Sequence, residues 1–211
     1  MKVSQEELDG ARARVAERFA TKAAPTVLSH IPGEVVRDAA LNLARALDGD
    51  SAILSRGDRL LVGLGVALAK TGSPTQGLAA WLSEAAKVAG KTDEDIEAIG
   101  GVALACATYN GYYKFRSLID DSKDFDSFGT ALRASPFVRS SLSKTLVELT
   151  SLAISVMNGC SQCVNGHVAT LRQTGLPNPT AAVDEAVRIS AVVAALTAWD
   201  NDSSCRPVQT R

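Results

Sequence analysis

Segment after segment of this 211-residue chain is dominated by alanine, leucine and charged residues, and no stretch shows sustained alternation of apolar and polar positions. A half-buried strand needs that period of two, whereas this composition favours helices. Aromatic residues, which strands favour, are only 5% of the chain. An all-α fold is therefore expected, with helices near 5–20, 34–48, 57–71, 76–89, 93–119, 140–157, 161–174 and 180–199. The separators HIPGE, DGDS, TGSPTQ, AGKTDED, RASPF, NG and TGLPNPT carry the Gly and Pro that stop one helix and the Asp, Ser or Thr that cap the next. The acidic stretch DDSKDFDSFGT at 120–130 is the longest expected loop.

The chain is long enough for one domain with a substantial core, and 46% of its residues are hydrophobic. With 22 basic and 23 acidic residues there is no basic field to gather phosphates, so nucleic acid is not an expected partner. The longest apolar runs, LLVGLGVALA at 60–69 and IGGVALACA at 99–107, fall well short of the roughly 20 residues that cross a bilayer. The first 19 residues, MKVSQEELDGARARVAERF, lack the apolar core of a secretory signal. No membrane association is expected, and the expected location is cytoplasmic.

An internal repeat is visible. LLVGLGVALAKTGSPTQGLAAWLSEAAKVAGKTDEDIEAIGGVALACA overlies TLVELTSLAISVMNGCSQCVNGHVATLRQTGLPNPTAAVDEAVRISAVVAAL, with Leu61–Val62 over Leu146–Val147 and Gly90 over Gly175. Both copies read helix, polar turn, helix, glycine stop, helix. The expected organisation is an N-terminal helix in 1–24, a helical domain over 25–200 and a polar tail at 201–211. Within the domain, a degenerate first repeat covers about 57–119 and a second about 140–199. The first copy is chemically blank: Gly63 stands opposite Glu148, SPTQ opposite CSQC, and alanine near the position of His167.

The chemistry concentrates in NGCSQCVNGH, 158–167. From Thr145 to Leu171 the only titratable side chains are Glu148, Cys160, Cys163 and His167. Asn158–Gly159 signals a turn, which puts Cys160 at or just before the first turn of a helix. There the unpaired N–H groups and the helix dipole favour a thiolate. A spacing of three brings the sulfurs to one face, within reach of a short-loop disulfide, and His167, four residues beyond Cys163, shares that face. Glu148 lies on the preceding helix among apolar neighbours. If that helix packs back through the short turn, its carboxylate needs a partner, and His167 is the nearest candidate. The set reads as nucleophile, base and orienting acid.

Other readings of the same residues are a silent helix and a zinc site using Cys160, Cys163, His167 and Glu148. Structural zinc usually takes two separated ligand pairs, and only one is present. No metal or bound cofactor is therefore expected. Of the other cysteines, Cys106 in ALACATY reads as a small buried hydrophobe and Cys205 as part of the polar tail. His30 in LSHIPGE reads as a helix-end residue.

The segment ELTSLAISVMNGCSQCVNGHVATLRQTGL closely resembles the signature of the alkylhydroperoxidase AhpD family, within the carboxymuconolactone decarboxylase superfamily: Glu, eleven residues, Cys-x-x-Cys, three residues, His. A weaker likeness extends to DAALNLARAL at 38–47 and TYNGYYKFRSLI at 108–119, so that the resemblance covers residues 25 to 200. It implies an all-helical, duplicated fold assembled as a homo-oligomer, trimeric or larger, with thiol-dependent peroxidase activity on organic hydroperoxides. By resemblance, Cys163 is the nucleophile that becomes a sulfenic acid, and Cys160 the thiol that resolves it to a disulfide. His167 is the base and Glu148 completes the relay. The family also implies a lipoylated protein or other dithiol as reductant and a peroxiredoxin as possible electron acceptor. The family's histidine between the cysteines is here Gln162, which cannot carry a proton at neutral pH. Two competing functions are a decarboxylase-like acid–base enzyme using His167 and Glu148, and a non-catalytic helical oligomer whose disulfide senses redox state.

Overall fold

A computed structural model describes residues 3–49, 53–119, 122–125, 127 and 129–201. Among these residues there are helices and turns but no strand. The order is α1 (Gln5–Phe19), α2 (Gly33–Asp48), α3 (Arg56–Thr71), α4 (Gly77–Val88), α5 (Asp93–Arg116), α6 (Ser135–Arg139), α7 (Lys144–Asn158), α8 (Ser161–Leu171) and α9 (Pro179–Asn201). Short 3₁₀ turns occupy Thr26–Ser29 and Ser122–Phe125. No described helix is long and apolar enough to cross a membrane.

Local chemistry sets the helix ends. Ser4 and Thr92 open α1 and α5 with capping boxes, each hydroxyl accepting from the amide three residues on while the Glu7 or Asp95 carboxylate returns to the cap amide. Ser55 and Ser143 cap α3 and α7 in the simpler way. Asp200, near the end of α9, caps α4 from a distance by accepting from the Leu78 amide at 2.8 Å.

Helices α3 and α7 form the centre. Leu60, Leu61 and Leu64 of α3 and Leu149, Leu152 and Ile154 of α7 are fully buried, and burying each such side chain contributes about 1.5–3 kcal/mol. The two helices pack together, with α3 also against α4, α5 and α9, and α7 also against α8, α9 and α5. The pairings are matched: α4 and α8 each touch the long helix that follows the other one, α9 and α5. At the crossing, a β-carbon on Gly65 would lie 2.5 Å from the Thr150 methyl. In the register that sets Leu61 over Leu146, Gly65 falls on Thr150.

Helices α1 and α2 close one side. Phe19 meets the Trp81 ring edge-on at 5.1 Å, and the Trp81 indole N–H donates to the Ala23 carbonyl at 3.0 Å. The buried Arg59 joins α3 to α9 through Glu185 at 3.2 Å.

Three expectations are corrected. The helix expected over 140–157 starts at Lys144, because Ser143 and not Ser140 or Ser141 caps it. The helices expected to reach 119 and 174 end at Arg116 and Leu171. RASPF, read only as a separator, contains the start of α6, with Pro136 in its first turn where a missing N–H costs nothing. Cys205 and residues 202–211 of the tail lie outside the described residues, as do parts of the acidic loop.

Candidate active site

Gly159 ends α7 at φ +67°, a left-handed conformation open to glycine, with its amide bonded to the Ser155 and Val156 carbonyls. The Cys160 amide then bonds to the Ser155 carbonyl at 3.0 Å, and Cys160 becomes the cap of α8. Its Sγ accepts from the Cys163 amide at 3.3 Å. Cys160 and Cys163 are joined as a disulfide with Cα atoms 5.3 Å apart, so this is the oxidised form. The two sulfurs differ in access: Cys160 is fully buried, whereas Cys163 is partly exposed.

One turn further along α8, His167 Nδ1 lies 2.7 Å from Glu148 Oε2. Both side chains are about four-fifths shielded, at 21% and 19% exposure. Helix α7 is buried on most of its surface, and Glu148 projects from it toward α8. With Nδ1–H given to the carboxylate, Nε2 is left as the proton acceptor of the ring. The other histidine, His30, ends the 3₁₀ turn at Thr26–Ser29, and its carbonyl accepts from the Trp199 indole.

A pocket of about 320 Å³ opens between α5, α6, α7 and α8. Cys163, His167, Glu148 and Gln162 supply its reactive and polar side, with Gly166 and Thr170 along the same face of α8. Tyr109, Tyr113 and Phe137 form the opposite, aromatic wall, and Cys106 also lines it. Tyr109 stacks edge-on with Phe137 at 5.8 Å and donates its hydroxyl to the Leu132 carbonyl at 2.6 Å, which ties the α6 region to α5. The pocket thus brings two cysteines, one imidazole and one carboxylate together beside an aromatic wall.

All four residues singled out from the sequence, Cys160, Cys163, His167 and Glu148, meet here. The aromatic wall was missed. Tyr109 and Tyr113 carried a signal, being four apart on one predicted helix in TYNGYYKF. Phe137 carried none. Cys106 is buried as expected, but it adjoins the pocket, and its S–H donates to the Ser151 carbonyl at 3.4 Å. Burial pushes its thiol up to about 11, against smaller opposing effects of hydrogen bonds with Ser155, Ser151 and Asn110. Among the described residues, no group of three or more His, Cys, Asp or Glu side chains is arranged to hold a metal ion.

Comparison with known proteins bears on the same region. Residues 123–201 match the carboxymuconolactone decarboxylase family. The alkyl hydroperoxide reductase AhpD of Rhodopseudomonas palustris is 32% identical over 161 residues, 76% of this chain and 83% of that protein. The protein of the same name from an Anaeromyxobacter species is 34% identical over 162 residues, 76% of this chain and 82% of its own length. That of Azorhizobium caulinodans is 36% identical over 99 residues, 47% of this chain and 53% of its own length. Against this last relative the chain spans about half of the relative's length.

Proposed function

This chain belongs to the AhpD family of the carboxymuconolactone decarboxylase superfamily, and on that premise we propose that it is a thiol-dependent peroxidase that reduces organic hydroperoxides through Cys160 and Cys163. The observation that carries the reading is Cys163 at a pocket wall one helical turn from His167, whose Nδ1 is held by Glu148 at 2.7 Å. The matched relatives are named alkyl hydroperoxide reductases.

In the reduced enzyme His167 takes the Cys163 proton at Nε2, directly or through a water, while Glu148 fixes the ring and stabilises the imidazolium. The thiolate attacks the terminal oxygen of the hydroperoxide. The O–O bond breaks, the alkoxide takes a proton from His167 and leaves as an alcohol, and Cys163 is left as a sulfenic acid. Cys160 then attacks the Cys163 sulfur, water departs, and the disulfide forms. Attack at Cys163 agrees with its access to the pocket, and resolution by Cys160 with its burial. The Cys163 amide that faces Cys160 Sγ stabilises the resolving thiolate.

The aromatic wall favours hydroperoxides with apolar bodies. Two electrons from an external dithiol, a lipoylated protein in the cell, complete the cycle, and a peroxiredoxin is a further electron acceptor. Gln162 holds the pocket rim with a hydrogen-bonding but non-titrating group, so proton transfer falls to His167 alone. The chain acts in the cytoplasm as a homo-oligomer. Cumene hydroperoxide supplied to the dihydrolipoamide-reduced protein tests the activity: consumption with loss of two thiols per chain supports it, and absence of both refutes it.

A further inference from the structure

Helix α5 carries a polar stripe at Cys106, Asn110 and Lys114, spaced one turn apart on a helix that packs against α7. Asn110 is only 2% exposed, so its amide needs partners inside the protein. It has them. Its Nδ2 donates to Ser155 Oγ at 3.0 Å, and its Oδ1 accepts from Asn158 Nδ2 at 3.0 Å. Lys114 Nζ donates to the Asn158 carbonyl at 2.9 Å. Ser155 in turn offers its carbonyl to the Cys160 amide. Every one of these bonds ends on the last turn of α7 or on the link that delivers Cys160 to α8.

We infer that Asn110, assisted by Lys114, is the positioning residue that fixes the Asn158–Gly159–Cys160 turn and so holds the Cys160 sulfur over Cys163. This rests on the dithiol reading of the site given above. Neither residue touches the Cys160 or Cys163 sulfur through a described hydrogen bond, and the reach is indirect. Gly159 gives the turn freedom, and the network from α5 removes it. Two thiols held at fixed separation close to a disulfide with a higher effective concentration than two thiols on a loose turn. The stability of the Cys160–Cys163 bond thus depends on a residue of another helix.

The test is the thiol–disulfide equilibrium of Cys160 and Cys163 against dihydrolipoamide, read by quantitative alkylation, in the full chain with no peroxide present. Asn110→Ala is expected to shift it about fivefold or more toward the dithiol, as a loss of effective concentration requires. Lys114→Met, at an exposed surface position, is expected to shift it the same way. Gly65→Ala serves as the comparison: it lowers the melting temperature at the α3–α7 crossing and leaves the equilibrium unmoved. An equilibrium within about twofold of the native value in a folded Asn110→Ala protein overturns the inference. If Asn110→Ala does not fold, Lys114→Met decides by the same criterion. Because no peroxide enters, a failure of the peroxidase reading leaves this result intact.

Discussion

His167 Nδ1 lies 2.7 Å from Glu148 Oε2 across the contact between α8 and α7. The bond occupies Nδ1 and leaves Nε2 as the free ring nitrogen, and His167 lines the same pocket as Cys163; in the proposed cycle Nε2 takes the Cys163 proton of the reduced enzyme. Glu148→Gln keeps the shape and removes the charge. The expected result is a fall in the rate of peroxide reduction of at least about 10-fold, and for His167→Ala about 100-fold or more, as for loss of a general base. Stopped-flow kinetics with cumene hydroperoxide measures both, and a rate unchanged in His167→Ala contradicts the assignment.

The asymmetry of access between Cys160 and Cys163 makes a second outcome specific. Cys163→Ser is expected to stay folded and lose peroxide reduction altogether. Cys160→Ser is expected to react once and stop, with a sulfenic acid on Cys163 that dimedone traps. Mass spectrometry of the adduct reads the position. A dimedone adduct on Cys106 in place of Cys163 in the Cys160→Ser protein would remove Cys163 from the role of nucleophile.

Cys106 has a different fate although it borders the same pocket. A thiol raised to about 11 by burial is thiolate at pH 8 to only about 0.1%, too little for ready reaction. The protonated thiol is favoured in the fold, so reactivity appears only as pH climbs toward 11. In native, reduced protein at pH 8, iodoacetamide is expected to label Cys163 well before Cys106. Peptide mapping over time measures the order.

At the crossing of α3 and α7, Gly65 has no room for a side chain because the Thr150 methyl sits where its β-carbon would be, 2.5 Å away. Gly65→Val is expected to destabilise the chain by about 1–3 kcal/mol, as overpacking does. Thermal melting tests it, and Gly65→Val with Thr150→Ala should recover part of the loss.

The helices and the reactive cluster are legible in the sequence because both are local. Period and breakers mark α1 to α5 and α7 to α9, and Cys160, Cys163 and His167 share a face through spacing alone. The meeting of Glu148 with His167 is also within reach, since a carboxylate in an apolar helix demands a partner close by in sequence. What stays hidden depends on how distant helices cross. Tyr109 and Cys106 face the pocket only because α5 lies against α7 and α8. The Asn110 network needs α7 to end where it does. Helix α6 is five residues long, too short for a period to show, and it brings Phe137 to the wall. The start of α7 is ambiguous in the sequence because Ser140, Ser141 and Ser143 are all competent caps, and nothing local chooses among them.

A thiol titration at pH 7, before and after a stoichiometric organic hydroperoxide and again after dihydrolipoamide, bears most directly on the proposed cycle. Two thiols per chain, those of Cys160 and Cys163, are expected to disappear with peroxide and return with the dithiol. A thiol count that peroxide leaves unchanged would rule the cycle out.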